Sequence, residues 1–352
     1  MNKVNFEGAW TALITPFRPD GQVDWDGLAR LVDFQVREGI NGLVPTGTTG
    51  ESPTLDWAEH EKVIEQVVQR SQGKCPVLAG TGSNSTREAL EATRHVQRLG
   101  AQGALLVDCY YNGPSSKELR EQYYATVAAA CPNLALVPYV IPGRTGTALL
   151  PEDLAILSKT HPNVAAVKEA TGDLDRMART RTLTGPQFSI LSGDDGITFD
   201  MMTRSDIAAC GVISVISNVV PRGVESFVRR LLRGELAEAE RLRRALSPLF
   251  DVVTVTVNNP RTLPDGSTVT VKDRFRNPLA IKTLMAALGM PAGFCRPPLG
   301  RMTWSGVQVV REAAQHSYEI EPGLFEPVER AFGVRIAERL HETRFWRPLA
   351  RD

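Results

Sequence analysis

From residue 8 to about 232, short apolar, β-rich runs alternate with longer amphipathic stretches. The short runs fall at 10–15, 42–46, 77–80, 104–107, 135–140, 164–168, 189–192 and 211–214. Between them, helical periodicity covers 26–38, 58–71, 87–99, 116–130, 152–158, 174–184, 196–203 and 220–232, several segments opening on Ser, Thr, Asp or Pro. Such alternation marks repeated βα units around a parallel sheet. An open, doubly wound sheet gives the same pattern, but usually with fewer strands and often with a Gly-rich first turn, absent here. The pattern therefore predicts an α/β fold, a (β/α)8 TIM barrel over 1–232.

Past the barrel the period changes. Residues 235–249 read as a helix, and 252–271 as a β-hairpin of two alternating β-branched runs around Pro264-Asp265-Gly266. Helical periodicity resumes over 278–288, and 323–345 forms a polar, amphipathic end. The expected organisation is a barrel (1–232), a C-terminal helical region with a hairpin insert (233–322), and a helical tail (323–352), with no fixed-period repeat and no low-complexity linker.

Composition narrows the partners. The 352 residues are 42% hydrophobic and 23% charged, enough for one large core. Forty basic residues balance forty acidic ones, so no net field draws in nucleic acid or an anionic membrane, and small-molecule substrates are expected. No apolar run approaches the roughly 18 residues that span a bilayer. The start, MNKVNFEGAW, lacks a leader's pattern, which predicts a cytoplasmic protein. Five scattered cysteines without C-x-x-C spacing, and five histidines without H-E-x-x-H, predict neither disulfides nor a metal site.

The candidate chemistry sits at strand ends, where barrel active sites are built. Lys168 closes the sixth run, VAAVK, in a chain with only eight lysines. Burial there would lower its pKa and free a neutral amine to form an imine with a ketone; the competing reading is a lysine that snorkels to solvent. Gly47-Thr48-Thr49-Gly50-Glu51-Ser52 follows the second run and can cradle a carboxylate, or serve simply as a capped βα turn. Tyr110 and Tyr111 follow the fourth run and Tyr139 lies in the fifth, so two or three phenols converge on the rim that holds Lys168, as a proton relay or as packing. Arg144 offers a bidentate fork for a carboxylate, or a loop salt bridge. Asp194 and Asp195, after Gly193, lack a third metal ligand and read as hydrogen-bonding or capping residues.

Taken in order, GTTGES (47–52), GTGSNST (80–86), YYN (110–112), PGRTG (142–146), VKEATGDL (167–174), LSGDD (191–195), GVISV (211–215), NP..IK (277–282) and RPPL (296–299) resemble the dihydrodipicolinate synthase and N-acetylneuraminate lyase superfamily. The resemblance implies a class I Schiff-base lyase that condenses pyruvate with L-aspartate 4-semialdehyde to 4-hydroxy-tetrahydrodipicolinate. It needs no cofactor beyond the imine on Lys168. It also implies a proton relay of Tyr139, Thr48 and Tyr111, the last reaching in from a neighbouring subunit, hence a homo-oligomer, dimer or tetramer. Thr48 and Thr49 with the backbone of Ile213 would hold the pyruvate carboxylate beside Gly193, and Arg144 that of the aldehyde. Ser52, Trp57, His60, Asn84, Glu88 and Tyr110 match a regulatory lysine site, Trp57 in its plant-like form. Val140, Cys109, the hairpin and the tail depart from the usual pattern. Another pyruvate aldolase, a non-catalytic acid-binding relative and a metal-dependent aldolase are the alternatives.

Overall fold

The computed structural model describes residues 4–351; residues 1–3, within the start read for a leader, and residue 352 of the tail lie outside it. Among the described residues, eight parallel strands make one sheet: β1 (Gly8–Ala12), β2 (Gly42–Val44), β3 (Leu78–Gly80), β4 (Gly103–Val107), β5 (Ala135–Val140), β6 (Ala166–Glu169), β7 (Ser189–Ser192) and β8 (Gly211–Ser214). Their order is β2-β1-β8-β7-β6-β5-β4-β3. A parallel bridge between Leu43 and Val77 joins the two ends, and the Gly80 amide donates to the Pro45 carbonyl at 2.9 Å. The alternation therefore resolves as a closed barrel.

Strand alternation sorts the side chains into two cores. In β5, Val137 and Tyr139 face the interior with Trp10, Val44, Leu105 and Ile213, whereas Leu136 and Val140 join the layer under the helices. The helices complete that layer by burying one stripe. In Pro221–Leu232 the stripe is Val224, Phe227, Val228 and Leu231, and Pro221 opens the helix where its missing N–H costs nothing.

Beyond the barrel, helix Leu236–Phe250 leads into an antiparallel hairpin, β9 (Val255–Thr262) with β10 (Thr268–Phe275), closed by Leu263 N–H on the Ser267 carbonyl at 2.8 Å. It runs four residues further than the 252–271 read from sequence. Helix Leu279–Ala287 follows. The 17-residue helix Trp304–Ile320 went unread, although Val307, Val310, Ala314 and Ser317 are buried at helical spacing; Gly306 and three nearby valines weaken its intrinsic propensity. The 323–345 segment is not one helix. It breaks into short pieces, with Gly333 left-handed at φ 66°, and folds back so that Thr303 bridges Arg351 and Trp346 is fully buried. Among the described residues, no helix is long and apolar enough to cross a membrane.

Candidate active site

Parity places Lys168 inside the barrel. It lies opposite Tyr139 in the β5–β6 register and two residues from inward-facing Ala166. Its Nζ stands 4.0 Å from the centre of the Tyr139 ring, and only 6% of the residue is exposed. Among the described residues this ammonium has no hydrogen-bond or ion-pair partner.

Lys282 is the instructive contrast. Equally buried, it donates to Glu51 Oε1 at 2.6 Å, to the Thr15 carbonyl at 3.0 Å and to the Phe294 carbonyl at 3.3 Å. Glu51 Oε2 also accepts the Arg296 amide at 2.9 Å, and Arg296 grips Glu59 with both terminal guanidinium nitrogens. The GTTGES, NP..IK and RPPL segments thus meet in one buried network that fixes the turn after β2.

Desolvation brings the Lys168 pKa down to about 7; Arg144 adds to the fall, while Asp195 and Asp194 oppose it. Half the amine is then neutral near pH 7, where an ordinary lysine is almost wholly protonated. Room beside the amine depends on Gly193, where a Cβ would stand 2.7 Å from Ala170 Cβ and 3.1 Å from Lys168 Cε.

A cavity of about 430 Å³ opens above the amine at the carboxyl ends of the strands. Thr48 and Thr49 reach it from the turn after β2, Tyr139 and Arg144 from β5 and its loop, and Gly193, Asp194 and Asp195 from the loop after β7. Thr48 and Tyr139 line this cavity together; burial raises the Tyr139 pKa, against the pull of Arg144 and of the nearby Thr48 side chain. Thr49 Oγ1 accepts from Asn277 Nδ2 at 2.9 Å. Asp195 Oδ2 accepts the Val215 and Ile216 amides at 2.9 and 3.2 Å, its Oδ1 is buried without a hydrogen-bond partner among the described residues, and Asp194 caps Gly196. Desolvation raises Asp195 to about 6. Ile213 is buried in the barrel interior, opposite Trp10.

The hairpin foot also reaches this cavity, supplying Asp251, Arg274, Arg276 and Asn277. Two reciprocal bonds lock it to the loop after β5: Arg276 Nη1 donates to the Gly143 carbonyl at 2.8 Å and Arg144 Nη2 to the Asn277 carbonyl at 3.0 Å. Arg144 is exposed to solvent, and desolvation of its covered part lowers its pKa. Sequence reading missed the foot because the hairpin signal, a turn between alternating runs, says nothing about where the hairpin lands.

The phenols separate. Tyr110 lines an adjoining cavity of about 220 Å³ with Ser52, Thr48 and Tyr139. Tyr111 points outward, 91% exposed at φ 75°, and is not brought to Lys168 within the chain. Of the remaining residues matched to a lysine site, Glu88 accepts from Ser83 Oγ at 2.6 Å and raises the Tyr110 pKa behind the larger effect of burial. Trp57 packs edge-on to His60 at 5.1 Å, and burial beside His95 pushes His60 down to about 4. Asn84 is exposed and precedes the N-cap Ser85, so it does not share a helical face with Glu88.

Comparison with known proteins gives concordant matches. The model of the "Dihydrodipicolinate synthetase family" covers residues 5–317. A 4-hydroxy-tetrahydrodipicolinate synthase of Pelobacter propionicus is 41% identical over 294 residues, 84% of this chain and 92% of that protein. Dihydrodipicolinate synthase from Aquifex aeolicus superposes with TM-score 0.79 at 37% identity, covering 90% of this chain and 99% of that one. The enzyme from Cyanidioschyzon merolae, solved with lysine bound, matches with TM-score 0.79 at 34% identity over 89% of this chain and 98% of that one.

Proposed function

The chain belongs to the dihydrodipicolinate synthetase family, and on that premise we propose that it is a class I lyase condensing pyruvate with L-aspartate 4-semialdehyde to 4-hydroxy-tetrahydrodipicolinate, on the route to diaminopimelate and lysine. The observation that carries the mechanism is Lys168, a buried amine with no hydrogen-bond or ion-pair partner among the described residues, facing a cavity of strand-end residues.

Neutral Nζ adds to the pyruvate ketone, and the carbinolamine loses water to give an imine. Loss of a methyl proton yields the enamine, whose carbon attacks the aldehyde while the aldehyde oxygen takes up a proton. The amino group of the acceptor then closes on the imine carbon and releases Lys168. Tyr139, with Thr48 beside it in the cavity, carries the protons, with Tyr111 of a neighbouring subunit completing the relay. Thr48, Thr49 and the Ile213 backbone hold the pyruvate carboxylate beside Gly193, and Arg144 holds the acceptor. The imine serves in place of a cofactor, and the reaction is placed in the cytoplasm, in a dimer or tetramer.

Borohydride added with pyruvate should inactivate the protein and leave a reduced adduct on Lys168 by mass spectrometry. No adduct, or one on another lysine, refutes the mechanism. A regulatory lysine site is assigned to Ser52, Trp57, His60, Asn84, Glu88 and Tyr110, supported by the proximity of Glu88 to Tyr110 and by the Trp57–His60 pair. L-Lysine at millimolar concentration should therefore inhibit partially, and Glu88→Ala should abolish the response.

A further inference from the structure

Arg274 and Arg276 line the Lys168 cavity beside Arg144. Strand alternation explains their aim. Between them Phe275 is buried against Gly306, where a Cβ would stand 3.1 Å from its ring, so its two neighbours take the opposite face of β10. Three guanidinium groups thus share one opening, and the charges of Arg276 and Arg274 add to the desolvation that lowers the Arg144 pKa. Elsewhere this chain relieves such charges with carboxylates, as in Arg261–Asp273 and Arg296–Glu59, both at 2.6 Å. Among the described residues none of the three is ion-paired. The Arg144 and Arg276 side chains donate only to the Asn277 and Gly143 carbonyls, and the Arg274 guanidinium to nothing. Of the cavity's own carboxylates, Asp194 and Asp195 are engaged with backbone amides, and Asp251 makes no ion pair with any of the three among the described residues.

We propose that Arg274 and Arg276, delivered by the foot of the hairpin, complete with Arg144 an anion site for the acceptor, selecting aldehydes that carry a carboxylate at the end remote from the carbonyl. The inference rests on the reading of Lys168 as the imine-forming residue, because that fixes the pyruvate end of the cavity and leaves the arginine rim to the second substrate. A guanidinium fork matches a carboxylate bidentately, and an unpaired cluster at an open mouth also steers anions inward.

The test compares the wild type with Arg274→Gln and Arg274→Gln/Arg276→Gln. With pyruvate saturating, KM for L-aspartate 4-semialdehyde should rise several-fold in the single variant and at least tenfold in the double. Its dependence on ionic strength should flatten, while adduct formation from pyruvate on Lys168 keeps its rate. Because Arg276 also holds Gly143, the single variant, whose lost guanidinium bonds to nothing among the described residues, separates recognition from loss of structure. Unchanged KM and salt dependence in both variants overturn the proposal. Calorimetric titration with glutarate distinguishes this failure from failure of the condensation. A wild type that does not turn over the semialdehyde, yet binds glutarate at least tenfold more tightly than the double variant, loses the acceptor assignment and keeps the arginine site. Equal glutarate binding removes the site.

Discussion

An amine must be both nucleophilic and reachable to form an imine, and a barrel interior supplies both at Lys168. Desolvation removes most of the advantage of the ammonium form, and Asp195 partly restores it, setting the pKa at about 7. Only the neutral amine attacks, so the rate of pyruvate adduct formation should rise with pH and level off above an apparent pKa near 7. Asp195→Asn keeps an acceptor for the Val215 and Ile216 amides but removes the charge that raises the lysine. Its acid limb should move to lower pH, and a limb that stays in place would show that Asp195 does not act on the amine. The same environment separates two buried lysines of similar solvent exposure: Lys282 meets a carboxylate and is structural, whereas Lys168 meets an aromatic face and open space.

At the scale of elements, the strand-to-helix turns carry the site and distant segments hold the turns still. Glu51, left-handed at φ 58°, stays in place through Lys282 from helix Leu279–Ala287 and the backbone of Arg296. Removing one member of so deeply buried a pair leaves a charge without compensation, so Lys282→Met should destabilise the protein by about 3–5 kcal/mol in denaturant titrations. Adding Glu51→Gln to that variant should recover part of the loss. If the double variant is no more stable than Lys282→Met, the pair is not the cause. The hairpin is tied in the same manner, by the reciprocal Arg276–Gly143 and Arg144–Asn277 bonds, which make the loop after β5 and the foot of β9–β10 one unit.

For the molecule as a whole, Tyr111 is the residue that a single chain leaves unexplained. A bulky side chain in the left-handed region costs on the order of 1–3 kcal/mol, and here it is held almost fully in solvent. The proposed contribution to a neighbouring subunit's relay would account for both features. Sedimentation should accordingly show a dimer or larger assembly, and Tyr111→Phe should lower kcat by about 10²-fold, as loss of a positioned proton-transfer group does. A fully active monomer, or an unaffected Tyr111→Phe, would remove the residue from the mechanism.

The eight βα units were legible because burial of a strand needs a run of apolar residues and burial of a helix needs a stripe, and both leave periodic marks at 135–140 and 220–232. The position of Lys168 at a strand end was legible for the same reason, as was the capping role of Asp194. Its unpaired state was not, since Lys282 ends an equally apolar approach and only three-dimensional packing gives it Glu51. The separation of Tyr110 from Tyr111 turns on one backbone angle, φ 75°, that no periodicity records. The arginines at the cavity mouth follow from where a hairpin lands, and that depends on Phe275 meeting Gly306 across thirty-one residues of chain. Local pattern writes the elements; contacts between segments far apart in sequence decide which of their charges are satisfied and which remain open to a substrate.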